Sequence, residues 1–343
     1  MPAMRRLVVT GGCGFIGSHL VRLLHADPAT RVVNLDACTY AGNPENLADL
    51  AGSDRYALQV GDVADPAVLD RVCAGADAVI HAAAESHVDR SIHDAGPFLR
   101  TNVVGTECVL RAVQRHRVPR LVYVSTDEVY GDIPAPHRTP ETDPLRPSNP
   151  YAASKAAGDL LCLAHHRTHG SPVVITRGSN TYGPNQFPEK LVPFFLSRAE
   201  RGEALPLYGD GGNAREWLHV TDHAAGIAAA LTRGRPGEVY NLGGGNERTN
   251  LEVVRALLQL AGKPESLVTY VADRPGHDRR YALDSAKAAR DLGWRPRVAF
   301  DQGFAETVAW YRANVAWCDR TRTGGWREWF EQQYGQRLAG AGR

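Results

Sequence analysis

The chain has 343 residues, 43% hydrophobic and 22% charged, with a formal net charge of +1. That balance describes one large or two modest globular domains with a full core, and it excludes a disordered chain. It also leaves no basic field to hold nucleic acid and no acidic tail.

Six cysteines (Cys13, Cys38, Cys73, Cys108, Cys162, Cys318) are spread singly, without Cys-x-x-Cys spacing. They read as reduced thiols, with no disulfide frame and no metal site expected. No apolar run approaches the roughly 18 residues of a membrane span. The start, MPAMRRLVVTGG, reaches a glycine turn after four apolar residues, too few for a signal peptide. A soluble, cytoplasmic protein is expected.

Leu7–Thr10 reads as a short buried strand, and GGCGFIG follows at once. Gly11, Gly14 and Gly17 permit a tight turn and close backbone approach. The helix behind them presents free N–H groups suited to a pyrophosphate. The second strand, Arg31–Leu35, ends in Asp36, about twenty residues past the glycines. A carboxylate there accepts both ribose hydroxyls of an adenosine and repels a 2′-phosphate, which favours NAD over NADP. The plainer alternative is that Asp36 caps a turn.

Tyr56–Val60 leads into Gly61-Asp62-Val63, placed for an adenine edge. Asp77–His81 is the fourth strand, and its end AAAESHVDRS combines small residues with an unusually polar loop. His87 in that loop has no second histidine or cysteine at ligand spacing, so it reads as a hydrogen-bonded residue. Phe98–Gln114 has helical periodicity, with Thr101 and Asn102 in its first turns.

Arg120–Val124 is the fifth strand, and Ser125-Thr126-Asp127-Glu128 begins where it stops. In an open α/β sheet the carboxyl ends of strands face the ligand crevice. A hydroxyl and two adjacent carboxylates there form a chemical apparatus or, more plainly, a helix-capping turn. After the proline-rich surface loop Pro134–Pro150, Tyr151 and Lys155 stand at i and i+4 on one helix face. The lysine ammonium is expected to favour the tyrosine phenolate, making Tyr151 a general base.

Val173–Thr176 is the sixth strand, and simple alternation then ends. Short strands (Glu216–Val220, Val239–Leu242) and helices (Thr221–Thr232, Asn250–Ala261) build a smaller lobe with basic and aromatic side chains. Arginine suits a diphosphate and tyrosine suits a base; Arg279 and Arg280 singly read as surface charge. The expected fold is α/β: a Rossmann-type doubly wound parallel sheet in residues 1–178, with returning strands. A smaller lobe, with side chains suited to a diphosphate and a base, is expected mainly in 179–335, and the resemblance below makes it the nucleotide-sugar-binding lobe.

The glycine loop, Asp36, Thr126 and the Tyr151/Lys155 pair resemble the extended short-chain dehydrogenase/reductase family. LDACTYAGNPENL, AAESHVDRSI, STDEVYG, SNTYGPNQFPEKL, LPLYGDGGNAREWLHV, YNLGGGNERTNLE and DRPGHDRRYALD are similar to motifs of the dTDP-glucose 4,6-dehydratase family. The resemblance spans residues 7 to 284 and implies an NAD-dependent lyase of deoxysugar biosynthesis. Such an enzyme converts dTDP-glucose to dTDP-4-keto-6-deoxyglucose, as a cytoplasmic homodimer.

It implies that Thr126 hydrogen-bonds the sugar 4-hydroxyl, Asp127 is the acid and Glu128 the base of an elimination. Tyr151 would take the 4-hydroxyl proton, and Lys155 would bind the nicotinamide ribose. Phe15, Ile16, Asp36, Ala37, Cys38, Thr39, Asp62, Val63, Ala82, Ala83, Ala84, Glu85, Ser86 and Thr101 would line the NAD site. Ser86, Asn180, Lys190, Leu191, Pro206, Leu207, Tyr208, Arg215, Asn250, Asp273, Arg274, Pro275, Gly276 and His277 would hold the nucleotide sugar. Cys13 stands where a small residue is usual, Ala37-Cys38 where Lys-Leu is, and Thr181, near the nicotinamide, where a second asparagine is. A 4-epimerase or a nucleotide-hexuronate decarboxylase of the same fold would share Tyr151, Lys155 and NAD. An epimerase has no need of Asp127-Glu128, and an NAD-sensing regulator has no need of the Thr126, Tyr151 and Lys155 set.

Overall fold

The computed structural model describes residues 5–322, 324–335 and 337–338. Strands β1 (Arg5–Thr10), β2 (Thr30–Asp36), β3 (Tyr56–Val60), β4 (Ala78–His81), β5 (Leu121–Thr126) and β6 (Val173–Gly178) form one parallel sheet. Its spatial order is 3-2-1-4-5-6, with a seventh strand, Val239–Leu242, added beside β6. Order reverses between β1 and β4, so the carboxyl ends of these strands open the crevice where a ligand binds.

The strands read as unbroken apolar runs because both faces are covered. Leu7 and Val9 point into one cluster with Leu20, Ile227 and Tyr240, while Val8 points into the opposite one with Leu69, Val109 and Tyr123.

Strand β5 runs two residues past its expected end, because Ser125 and Thr126 pair with Arg177 and Gly178. The expected helix from Phe98 is one helical run containing a π segment, Leu99–Gly105, ahead of Thr106–Arg115. Helix Pro150–His169 has Pro150 in its first turn. The Asn149 side chain accepts the Ala152 N–H at its start, and left-handed Gly170 ends it. It lies tight on the sheet: a Cβ on Gly158 would sit 2.1 Å from the Tyr123 hydroxyl oxygen.

Beyond β6 come β7 (Asn180–Tyr182), β8 (Leu205–Tyr208) and β9 (Ala214–His219). The sheet strand β10 (Val239–Leu242) is followed by β11 (Glu247–Thr249) and β12 (Val268–Val271). Strands β11, β9 and β7 make a three-stranded sheet, and β12 pairs with β8 alone. Proline and glycines in 205–212 (LPLYGDGG) are turn signals, and no strand is expected there. The first four residues form an edge pair, where Pro206 is tolerated. A third apolar cluster, from Tyr182 to Tyr334, holds this second half together. No helix among the described residues is long and apolar enough to cross a membrane.

Candidate active site and cofactor cleft

Two cavities of about 270 and 190 Å³ open at the carboxyl ends of the strands, and Glu189 and Lys190 line both. The first follows the glycine turn. Gly11 has φ +74°, and a Cβ there would lie 2.6 Å from the Ala83 Cα. The helix Phe15–His25 begins without a side-chain cap, so its first N–H groups face the cleft. Asp36 accepts the Cys13 and Cys38 N–H groups, both at 2.8 Å. Burial pushes its carboxyl up, against those two bonds. Its carboxylate lines the cavity, with lone pairs left for further donors.

This cavity gathers Gly14, Phe15, Ile16, Gly17, Ala37, Thr39, Asp62, Val63, Ala82, Ala83, Ala84, Glu85, Ser86, Thr101, Tyr151 and Lys155. Cys38 and Thr181 do not line it. The Thr181 hydroxyl is turned to the Ser179 carbonyl (3.0 Å) and His223 Nδ1 (2.8 Å). A collar without Cβ, an uncapped helix start and a buried carboxylate one strand away fit a dinucleotide.

Thr126 is both the end of β5 and the cap of the turn Asp127–Tyr130, its hydroxyl accepting the Glu128 N–H at 3.3 Å. The capping alternative is thus realised, and it sets the two carboxyls apart. Asp127 is 3% exposed, bonded through Oδ1 to the Thr126 hydroxyl at 3.2 Å, with Oδ2 buried and unpartnered. Burial first, then the Glu128 and Glu216 charges, hold its pKa well above the carboxylate range. Glu128 lines the second cavity and meets the Asn149 amide at 3.5 Å.

Tyr151 and Lys155 are both buried on one helix face. Lys155 donates from Nζ to the Val124 carbonyl at 2.7 Å and lies 4.2 Å from the Tyr123 ring centroid. Burial draws its ammonium down to about 8. The expected lowering of the tyrosine pKa is not found. Burial and the Glu128 charge push the Tyr151 phenol up, only the Thr126 hydroxyl opposes them, and the lysine is spent on Val124.

The turn and the helix are braced from behind. Arg177, on β6, donates to Asp159 at 2.7 Å and to the Tyr130 hydroxyl at 2.6 Å; Tyr130 in turn donates to Asn241 at 2.9 Å. Asp159 lies on the helix of Tyr151 and Lys155, and Tyr130 on the turn of Asp127 and Glu128. The Arg177–Asp159 pair is 3% and 0% exposed, so losing one partner would strand a buried charge.

The second cavity gathers Asn180, Lys190, Leu191, Pro206, Leu207, Tyr208, Arg215, Asn250, Arg274 and His277. Lys190 donates to the Ser86 carbonyl at 2.9 Å, joining the two cavities. The Arg274 Nη1 donor is buried with no partner among the described residues, and Arg215 lies over Tyr281 at 4.3 Å. Burial and the charges of Arg274 and Arg215 lower His277 to about 4. Asp273, Pro275 and Gly276 stand outside the lining; Asp273 Oδ1 meets His277 Nδ1 at 2.6 Å. Lining residues that the sequence reading did not single out include Gln186, Glu189, Trp217, Tyr281 and Tyr334. Tyr334 stacks on Tyr208, centroids 5.8 Å apart, and nothing local in the sequence marks that pairing.

A family model described as GDP-mannose 4,6 dehydratase matches residues 8–307. The dTDP-glucose 4,6-dehydratase of Streptomyces griseus is 55% identical over 314 residues, covering 91% of this chain and 95% of the relative. The solved DesIV dTDP-glucose 4,6-dehydratase from Streptomyces venezuelae, with NAD and TYD bound, superposes with a TM-score of 0.90 at 52% identity. That match covers 92% of this chain and 99% of the other. The UDP-glucose 4-epimerase of Thermus thermophilus, in complex with NAD, has a TM-score of 0.83 at 34% identity, covering 90% and 100%. The chain belongs to the family described as GDP-mannose 4,6 dehydratase, within the extended short-chain dehydrogenases/reductases, and groups there with the dTDP-glucose 4,6-dehydratases.

Proposed function

We propose that the chain converts dTDP-glucose to dTDP-4-keto-6-deoxyglucose by oxidation at C4, elimination of water across C5 and C6, and reduction at C6. Bound NAD supplies the reversible oxidation and reduction. It would be held by the Gly11 turn, the uncapped helix start, Asp36, Thr101 and Lys155. Residues 1–178 with β10 would form the cofactor unit, and most of 179–335 the sugar-nucleotide unit.

In this reading Thr126 hydrogen-bonds the 4-hydroxyl and Tyr151 receives its proton as the phenolate, a form that burial disfavours and that the positive charge of a bound nicotinamide would favour. The ketone at C4 then acidifies the C5 hydrogen. Glu128 removes it, and Asp127, kept protonated by burial, donates a proton to the departing 6-hydroxyl. Arg215, Arg274 and Lys190 bring positive charge to the diphosphate, with Tyr208 offering a ring face to the base.

The observation that carries this reading is the buried Asp127 carboxyl, whose Oδ2 has no partner among the described residues, beside cavity-lining Glu128. A 4-epimerase exchanges a proton and electrons at C4 only and has no task for such a pair. The test is incubation with dTDP-glucose, followed by the alkaline chromophore of a 4-keto sugar and the product mass. Product 18 mass units lighter than substrate, by loss of one water, supports dehydration; an epimer of unchanged mass contradicts it. A cytoplasmic homodimer belongs to the same proposal, paired through helices Thr106–Arg115 and Pro150–His169, whose surface includes exposed Leu160. Light scattering on Leu160→Glu, expected to shift the protein towards monomer, checks it.

A further inference from the structure

Three ligand atoms of a kind that binds soft cations meet behind the Asp36 wall of the first cavity. Cys13, Asp36 and Cys38 each bring one, and all three lie within 4.8 Å of one another. The chain has to be folded for this to be visible, since Cys13 follows β1 and Cys38 follows β2. The parallel pairing of those strands brings their ends together.

One carboxylate organises the trio. The N–H groups of both cysteines donate to Asp36, one to each oxygen. The second of these bonds accompanies a left-handed backbone at Cys38, φ +50°, a conformation that a side chain other than glycine adopts rarely. Cys13 is fully buried, and its sulfur receives the Asn34 amide at 3.3 Å. Cys38 is partly exposed, and both thiols are free. Asp36 lines the cleft, so a cation can reach the trio from that side with water as its remaining ligand.

We propose that Cys13, Asp36 and Cys38 bind a thiophilic divalent cation of the zinc class, which occupies the Asp36 carboxylate in place of the cofactor's adenosine ribose. Two thiolates and a carboxylate with one open position form a known zinc donor set. The three ligand atoms already lie within 4.8 Å of one another, and a cation with metal–sulfur distances of about 2.3 Å would draw them closer. Binding releases the two thiol protons to solvent and transfers no electrons, so a chelator reverses it. The exclusion of cofactor rests on reading Asp36 as the ribose acceptor. Occupancy by NAD and by the cation would then be linked reciprocally, each weakening the other.

Cadmium is the probe, because thiolate-to-cadmium charge transfer absorbs in the ultraviolet. The full-length protein is titrated with and without saturating NAD, and NAD binding is measured separately by protein fluorescence. The expected band saturates at a single cation, disappears in Cys13→Ala and in Cys38→Ala, and persists in Cys73→Ala and Cys108→Ala. Saturating cadmium should weaken NAD binding at least about tenfold, and NAD should suppress the band. Thermal melts of the two variants verify that they are folded. A band that survives in either variant, no band at all, or cadmium and NAD bound without mutual effect overturns the proposal. Wild-type protein that fails to bind NAD in metal-free buffer counts against the proposed function instead, and shows before any cadmium is added.

Discussion

Asp127 and Glu128 are neighbours in the chain with unlike surroundings: the Asp127 carboxyl is shut in behind Thr126, while Glu128 lines the sugar-nucleotide cavity. The turn that Thr126 caps sends one inward and the other to the cleft, which is how one strand end can supply both an acid and a base.

Asp127→Asn should stop protonation of the leaving 6-hydroxyl while leaving oxidation at C4 intact. A substrate with fluorine at C6, which leaves with less help, should recover much of the rate. Glu128→Gln should instead prevent entry of solvent deuterium at C5, with little rescue by fluorine. Single-turnover kinetics with mass spectrometry separates the two, and identical responses to the fluoro substrate would refute the division of labour.

The same Asp127→Asn exchange should stabilise the protein. The folded pKa lies above the ordinary 3.8, so the carboxyl costs nothing below that value. Its cost then grows as pH rises, because the unfolded state gains by ionising. Melting temperature should therefore rise at pH 7, by about 1 to 2 °C per kcal/mol recovered, and show no gain near pH 3. A gain independent of pH would contradict the burial argument.

On the proposed mechanism Tyr151→Phe removes the acceptor of the 4-hydroxyl proton and should lower kcat by about 10²- to 10⁴-fold, with substrate binding kept. Calorimetry with dTDP-glucose checks the second half, and near-normal turnover would reject Tyr151 as the base.

Tyr130→Phe keeps the ring under Arg177 but removes the hydroxyl that ties it to Arg177 and Asn241. The catalytic turn should lose its exact seat relative to the Tyr151 helix, lowering kcat by roughly tenfold or more, with KM little changed. Elimination should slow more than C4 oxidation in the single-turnover assay. Equal slowing of both, or none, would make the brace purely structural.

Much of this site was legible because its signals are local. The glycine turn, Asp36 at the end of the next strand, and Tyr151 one helical turn before Lys155 are each fixed by spacing along a single element. What was not legible depends on what packs across elements. Lys155 turns to the Val124 carbonyl because the helix lies tight on β5, which the sequence does not display, and so the tyrosine was expected to be more acidic than it is. Tyr334 reaches Tyr208 over more than a hundred residues. Cys13 and Cys38 read as isolated thiols until β1 and β2 were paired. Pro206 hid a strand whose one partner among the described residues is another short edge.

The central claim is that one sugar is oxidised at C4, dehydrated and reduced at C6 without leaving the site. dTDP-glucose carrying deuterium at C4, converted in ordinary water and examined by NMR, tests it most directly. The account predicts a 4-keto-6-deoxy product with the deuterium moved to C6 and a solvent hydrogen at C5. Deuterium retained at C4 in an epimer, or a dehydrated product without deuterium at C6, would contradict it.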